Sequence, residues 1–381
     1  MNLTIALVAG EDSGDQLGAP LIADLKERFP GCRLVGVGGE RMRSAGMECW
    51  WDCAELAHFG LFEVLRHLGR IWKLRKDLLQ RLLELKPDVF IGIDAPDFNL
   101  GLEKRLRHAG IRTVHYVSPT VWAWRAWRIP RIRDAADLVL CLFPFEPEFL
   151  AAHQIRAAYV GHPLADQIDP VPQPGPARSA LGIEAEGPVV ALLPGSRQSE
   201  VEQLAGPMLG AARLLKEQFP SARFIAALAN PRVAAHFRQQ VATERGPEIG
   251  DFEGRVREVI AAADVVICAS GTVTLETLLI NRPMVMVYRV AASTYYLVRI
   301  TGMIKAKRYA LPNILAGRDL IPELTQQQVT PRHIAQEAAA WLADDARRGA
   351  LSDEFRRMHA TLRCDASKRA AAEVARLLEE S

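Results

Sequence analysis

Three carboxylates stand where a short apolar run gives way to a segment with helical spacing. Glu11 lies in GEDSGD (Gly10–Asp15), directly after LTIALVA, while Asp94 and Asp97 lie in IGIDAPDFN, directly after another apolar run. A carboxylate on such a turn can take a proton from an attacking hydroxyl within hydrogen-bond reach. Capping accounts equally well for Asp97 at the start of its helix, and for Asp12 and Ser13 in the first motif. Gly10 and Gly14 permit a tight turn, and the helix start behind them favours a negative group. The spacing is nevertheless not GxGxxG, and further acids crowd the place where a pyrophosphate would lie.

The second half of the chain carries a different constellation. In VVALLPGSRQSEVE, Gly195, Ser196 and Arg197 join a buried strand to a helix, where N–H groups, a hydroxyl and a guanidinium fork make a cradle for a diphosphate. In ICASGTVTLE, the small residues Ser270, Gly271 and Thr272 let a ligand approach the backbone, and Glu276 one turn later can accept both hydroxyls of a ribose. Turn chemistry explains either loop alone; two such loops on one sheet point to a nucleoside diphosphate. In ALPNIL, Asn313 either reads a ligand or fixes a turn. With no DxD pair in a metal-binding context and no HExxH, neither a metal nor another cofactor is expected.

A third segment is aromatic and basic. SPTVWAWRAW places Trp122, Trp124 and Trp127 within six residues, followed by Arg128, Arg131 and Arg133 before the first acid, Asp134. Upstream, Leu61–Lys86 has a broad apolar face with Arg66, Arg70 and Lys73 along one flank and no acid between Glu63 and Asp77. Apolar breadth, indoles and clustered cations describe a helix lying in an anionic membrane interface. A core helix with a solvated basic face is the alternative. Nucleic acid fits less well, because 47 basic and 45 acidic residues leave a net charge of only +2.

These residues need a scaffold, and the length supplies one. At 381 residues, 49% hydrophobic and 24% charged, the chain is a folded protein too long for one core. Its six scattered cysteines lack metal or redox spacing, and no apolar stretch is long enough to span a bilayer. Strands are expected at Leu3–Ala9, Arg33–Val37, Asp88–Ile93, Arg112–Val117 and Leu138–Leu142, then at Val189–Leu193, Arg223–Leu228, Asp264–Ala269 and Met284–Val287. Helical spacing between them predicts an α/β fold of parallel sheets covered on both faces. DPVPQPGP (Asp169–Pro176) breaks the pattern. The expected organisation is two doubly wound Rossmann-like domains, 1–169 and 170–345, facing a cleft, with C-terminal helices over 346–381 packing back on the first.

GEDSGD, VGVGGERM, IGIDAPDFN, YVSPTVWAW, GHPLAD, LLPGSR, ASGTVTLE and LPNIL occur in this order across nearly the whole chain. Together they resemble the lipid-A-disaccharide synthase family, glycosyltransferases of the two-Rossmann-domain (GT-B) type. The resemblance implies an inverting, metal-independent transfer of 2,3-diacylglucosamine from UDP to the 6-hydroxyl of 2,3-diacylglucosamine 1-phosphate (lipid X). It also implies a peripheral enzyme at the cytoplasmic face of the inner membrane, with UDP-diacylglucosamine, lipid X and an anionic membrane surface as partners. On this reading Asp97 is the leading base, with Glu11 and Asp94 as competitors. Gly195–Arg197 meet the diphosphate, Glu276 holds the ribose and Asn313 lies near the donor. An oligomer is compatible with the residues and is not argued from them. Asp12 departs from the small residue common at its place in the family and is given no role. A UDP-sugar epimerase, a peptidoglycan glycosyltransferase or a non-catalytic sugar-nucleotide binder would share parts of this pattern.

Overall fold

A computed structural model describes residues 3–57, 64–123, 126–184, 186–244, 246–290 and 308–380. The chain forms two compact units, Met1–Asp166 with Thr361–Ser381, and Gln167–Ala360.

The sheet of the first unit is parallel: β1 (Thr4–Ala9), β2 (Arg33–Gly38), β3 (Glu48–Asp52), β4 (Val89–Ile93), β5 (Arg112–Tyr116), β6 (Leu138–Cys141) and β7 (Ala157–Tyr159), in the order β3-β2-β1-β4-β5-β6-β7. Five consecutive residues of β1 and all five of β4 are buried, as expected of strands covered on both faces. Helices α1 (Asp12–Arg28), α2 (Glu40–Ser44), α3 (Val64–Leu85), α4 (Pro96–His108) and α5 (Glu146–Ala151) follow strands of this sheet or lead into them. The last helix of the chain, Ala366–Glu379, belongs to this unit as well. Its Ala370, Ala371, Val374 and Leu377 join Leu21, Ile22 and Leu25 of α1 in one core.

The second unit holds β8 (Val189–Leu193), β9 (Arg223–Leu228), β10 (Ile249–Glu253), β11 (Val265–Ala269), β12 (Met284–Tyr288) and β13 (Glu323–Thr325), also parallel, in the order β10-β9-β8-β11-β12-β13. Helix α6 (Gln198–Gln218) follows β8 and α7 (Thr272–Leu279) follows β11. Strand order reverses between β1 and β4 in one sheet and between β8 and β11 in the other. Open α/β sheets bind ligands outside the carboxyl ends of the strands at such reversals. Glu11 and Asp94 leave the first reversal; Gly195–Arg197 and Ser270–Thr272 leave the second.

Candidate active site

In the second unit, the loops after β8 and β11 enclose a cavity of about 340 Å³. Gly195, Ser196, Arg197 and Glu200 line it from one side, and Ser270, Gly271, Thr272 and Glu276 from the other. The chain turns into α6 through Gly195 at φ +120°, where a Cβ would lie 2.4 Å from Glu200 Oε2. Glycine is required there on both counts. Glu200 Oε2 accepts the N–H groups of Ser196 (2.9 Å) and Arg197 (3.2 Å). Those two donors, expected to be open for a diphosphate, are closed by a carboxylate of the same helix. What this side offers an anion is the Ser196 hydroxyl and the Arg197 guanidinium, whose side chain is 80% exposed. Across the cavity, Gly271 at φ +128° leads into α7, and the first N–H groups of a helix have no helical partners.

Glu276 sits one turn into α7 with its side chain only 19% exposed, and Arg257 Nε donates to its Oε1 at 3.3 Å. That ion pair fixes the side chain and leaves the second oxygen to address a ligand. Asn313 is placed differently. Its Nδ2 donates to the Ile321 carbonyl (2.9 Å) and to Glu323 Oε1 (2.8 Å), and its Oδ1 accepts the N–H groups of Leu320 (2.7 Å) and Ile321 (3.0 Å). All of its bonding capacity is spent inside the fold, so Asn313 fixes a turn and is not a ligand-reading amide.

In the first unit, Glu11 and Asp94 end neighbouring strands. Gly10 allows the two loops to touch, since a Cβ there would meet the Ala95 Cβ at 2.4 Å. Glu11 is exposed and accepts the Ser13 hydroxyl at 2.9 Å. Asp94 and Ala95 both adopt left-handed backbone, at φ +49° and +44°. For residues with a side chain this costs about 1–3 kcal/mol each and persists only where the surroundings enforce it. The Asp94 N–H donates to the Tyr116 carbonyl (2.8 Å), and Asn99 Nδ2 donates to the Asp94 carbonyl (2.9 Å). Burial lifts the proton affinity of Asp94 above the usual carboxylate range; His115 and the Ala95 N–H oppose this, and the charge of Glu11 adds to it. Asp97 stands apart on the first turn of α4. Its side chain is 74% exposed, and Arg128 Nη2 donates to its Oδ1 at 2.6 Å.

Other motif acids hold the scaffold. Asp15 of GEDSGD is buried and accepts three N–H groups, from Gly39 (2.7 Å), Arg41 (3.0 Å) and Met42 (3.0 Å), tying α1 to the turn after β2. Asp166 of GHPLAD accepts those of Cys364, Asp365 and Ala366 at the start of the last helix. Two buried features escaped the sequence reading. Glu103 of α4 bonds His115 of β5 at 2.7 Å, and Glu146 accepts from the Trp122 indole at 3.1 Å and from the Phe143 N–H at 3.0 Å. Burial pushes Glu146 up to about 7. Neither pair has a local signal, because the partners lie 12 and 24 residues apart.

The indoles divide into packed and exposed ones. Trp50 lies under Arg81, 4.0 Å from the guanidinium, and Trp122 stands edge-on to Phe145 at 5.0 Å. Trp72 and Trp127 are exposed, and Trp127 has Arg131 and Arg128 over its ring at 4.9 and 5.4 Å. Trp124, Arg125 and the expected helix start at Leu61 lie outside the described residues. Among the described residues no helix is long and apolar enough to cross a membrane.

The model of the family described as lipid-A-disaccharide synthetase matches residues 5–374. A lipid-A-disaccharide synthase from Xanthomonas oryzae pv. oryzae (strain MAFF 311018) is 49% identical over 376 residues, covering 98% of this chain and 87% of that protein. Among solved structures, a protein described as a UDP-N-acetylglucosamine 2-epimerase from Listeria monocytogenes superposes with a TM-score of 0.67 at 13% identity, over 100% of this chain and 98% of that one. A calicheamicin glycosyltransferase superposes with a TM-score of 0.61 at 18% identity, over 100% and 99%. These two likenesses carry the fold alone.

Proposed function

The chain belongs to the lipid-A-disaccharide synthetase family, a glycosyltransferase family of lipid A biosynthesis, and from that premise we propose the reaction and the residues that perform it. The enzyme transfers 2,3-diacylglucosamine from UDP to the 6-hydroxyl of 2,3-diacylglucosamine 1-phosphate, releasing UDP. In a single inverting displacement the acceptor oxygen bonds to the anomeric carbon as the bond from that carbon to the diphosphate breaks. The acceptor proton passes to a carboxylate, and the leaving electron pair stays on UDP.

The second unit holds UDP. Arg197 and the Ser196 hydroxyl meet the diphosphate and offset its growing charge, together with the N–H groups of Thr272 and Val273 in the first turn of α7. Glu276 grips the ribose. The single observation that carries this assignment is the cavity itself, which gathers both loops and Glu276 at the strand-order reversal of one sheet.

For the base, geometry favours Asp94 over the sequence-based choice of Asp97. Asp97 stands on an exposed helix turn with its Oδ1 engaged by Arg128. Asp94 lies at the reversal beside Glu11, and burial raises its proton affinity above that of an ordinary carboxylate, which strengthens it as a base. Incubation with UDP-diacylglucosamine and lipid X tests the reaction: UDP release only with both substrates is expected, and none with both present rejects it.

The exposed Trp72 and Trp127, with the arginines around the latter, support peripheral attachment to an anionic membrane, where the acyl chains of both substrates reside. Flotation with anionic but not neutral vesicles is expected, weakened when both indoles become serine. Equal behaviour of the two vesicle types removes this part of the proposal.

A further inference from the structure

We propose that the buried Glu103–His115 pair is a positioning device that holds a fixed imidazolium beneath Asp94, keeping that carboxylate ionised and aimed to take the acceptor proton. The inference rests on the reading of Asp94 as the base.

Both side chains are fully buried, with His115 Nδ1 2.7 Å from Glu103 Oε1. The space for them is made by a missing side chain. Gly92 of β4 is the register partner of His115 on β5, and a Cβ on Gly92 would fall 2.1 Å from Glu103 Oε1 and 2.9 Å from the Asn99 Cβ. Two residues beyond that notch the chain reaches Asp94. Asn99 shares the notch and donates to the carbonyls of Val8 (3.3 Å), Ile93 (3.3 Å) and Asp94 (2.9 Å), clamping the ends of β1 and β4. The Asp94 N–H bonds the carbonyl of Tyr116, the residue after His115. Glycine notch, amide clamp and buried pair thus converge on one strained residue.

Electrostatics gives the pair its purpose. Asp94 faces Glu11 from the loop after β1, which disfavours its ionised form, and His115 from β5, with Glu103 of α4 behind it. His115 is the one cation in that set. Burial alone would keep the imidazole neutral, but the charge and hydrogen bond of Glu103, with a further contribution from Asp94, raise its proton affinity above the ordinary value. A buried ion pair stabilises a fold little compared with well-packed apolar residues of similar volume. Its place here, one strand from the base, is explained by what it does to Asp94. Among the described residues, neither His115 Nε2 nor Glu103 Oε2 has a further partner, so the pair joins no wider network there.

The test is Glu103→Gln in the full chain, which keeps side-chain size and removes the counter-charge. His115 then becomes neutral near pH 7 and Asp94 loses its offsetting cation. The expected result is an acid limb of the kcat profile moved up by about one unit, so that kcat is about tenfold lower at pH values on that limb. KM for both substrates and affinity for UDP stay unchanged, and His115→Asn shifts the limb in the same direction. On the unaltered protein, ¹⁵N NMR should find both His115 nitrogens protonated at pH 7.5, a readout that holds if either variant fails to fold. A Glu103→Gln profile superimposable on the parent, or a neutral His115 at pH 7.5, overturns the proposal. Asp94→Asn is assayed alongside. If it turns over normally, the base assignment fails; if it is inactive while the Glu103→Gln profile is unmoved, only the role of the pair fails.

Discussion

Replacing Glu276 with glutamine perturbs the proposed ribose grip with little change in shape. The side chain is largely buried in the cavity wall, with Arg257 on Oε1, so the proposed role falls to Oε2 as the oxygen that addresses the ribose hydroxyls. Hydrogen bonds to a charged acceptor contribute about 1.5–3 kcal/mol each and neutral ones about 0.5–1.5 kcal/mol. For two hydroxyls, the difference amounts to about 2 kcal/mol. A loss of that size weakens binding about thirtyfold, at about 1.4 kcal/mol per factor of ten. Calorimetric titration of UDP into the parent and the variant measures this directly. A control separates the grip from general damage: 2′-deoxy-UDP should bind the parent more weakly than UDP does, and the gap should shrink in the variant. A UDP affinity within twofold of the parent, or an unchanged preference for the 2′-hydroxyl, refutes the role of Glu276.

Asp15→Ala strands three N–H donors around a buried site, so the urea midpoint should fall by an amount equivalent to about 3–5 kcal/mol, at about 1–3 kcal/mol per unsatisfied group; a loss below about 1 kcal/mol contradicts the capping role. Glu146 gives a pH signature with a definite sign. Its folded value of about 7 lies above the ordinary 4.5, so the native state holds the extra proton between those values. Stability is therefore fully present below pH 4.5 and is lost as pH rises through 7. At about 1.4 kcal/mol per unit, the stability of the parent relative to Glu146→Gln should decline by about 3 kcal/mol across that window. Denaturation curves at pH 5 and pH 8 that differ equally for both proteins remove this assignment.

The central strands were legible in the residues and the edges were not. Val189–Leu193 and Arg223–Leu228 coincide with β8 and β9, and the other seven expected strands match to within one residue at each end. The four strands without a sequence signal are β3, β7, β10 and β13, the two edges of each sheet. Their sequences ECWWD, AAY, IGDFE and ELT are short or charged and only partly buried, because an edge strand lacks the double cover that makes a central one uniformly apolar. The C-terminal helices expected over 346–381 are Asp345–Leu362 and Ala366–Glu379, parted at Asp365 with φ +54°.

The site was legible by motif but not by partner. Both cavity loops were visible as small residues between a strand and a helix, and seven residues named from the sequence line one cavity. What local sequence does not carry is how side chains are spent. Glu200 occupies N–H groups that looked free, Asn313 is saturated by its own turn, and Asp97 is engaged by an arginine 31 residues away. Strand order is equally invisible along the chain. It makes neighbours of Glu11 and Asp94, and with them the buried Glu103–His115 pair beneath.

Turnover and UDP binding measured side by side for Asp94→Asn and Asp97→Asn test the assignment of the base most directly. A general base contributes about 10²–10⁴-fold, so Asp94→Asn should bind UDP like the parent and lose turnover on that scale, while Asp97→Asn keeps activity within about tenfold. Near-normal turnover by Asp94→Asn, with the loss falling on Asp97→Asn instead, would contradict it.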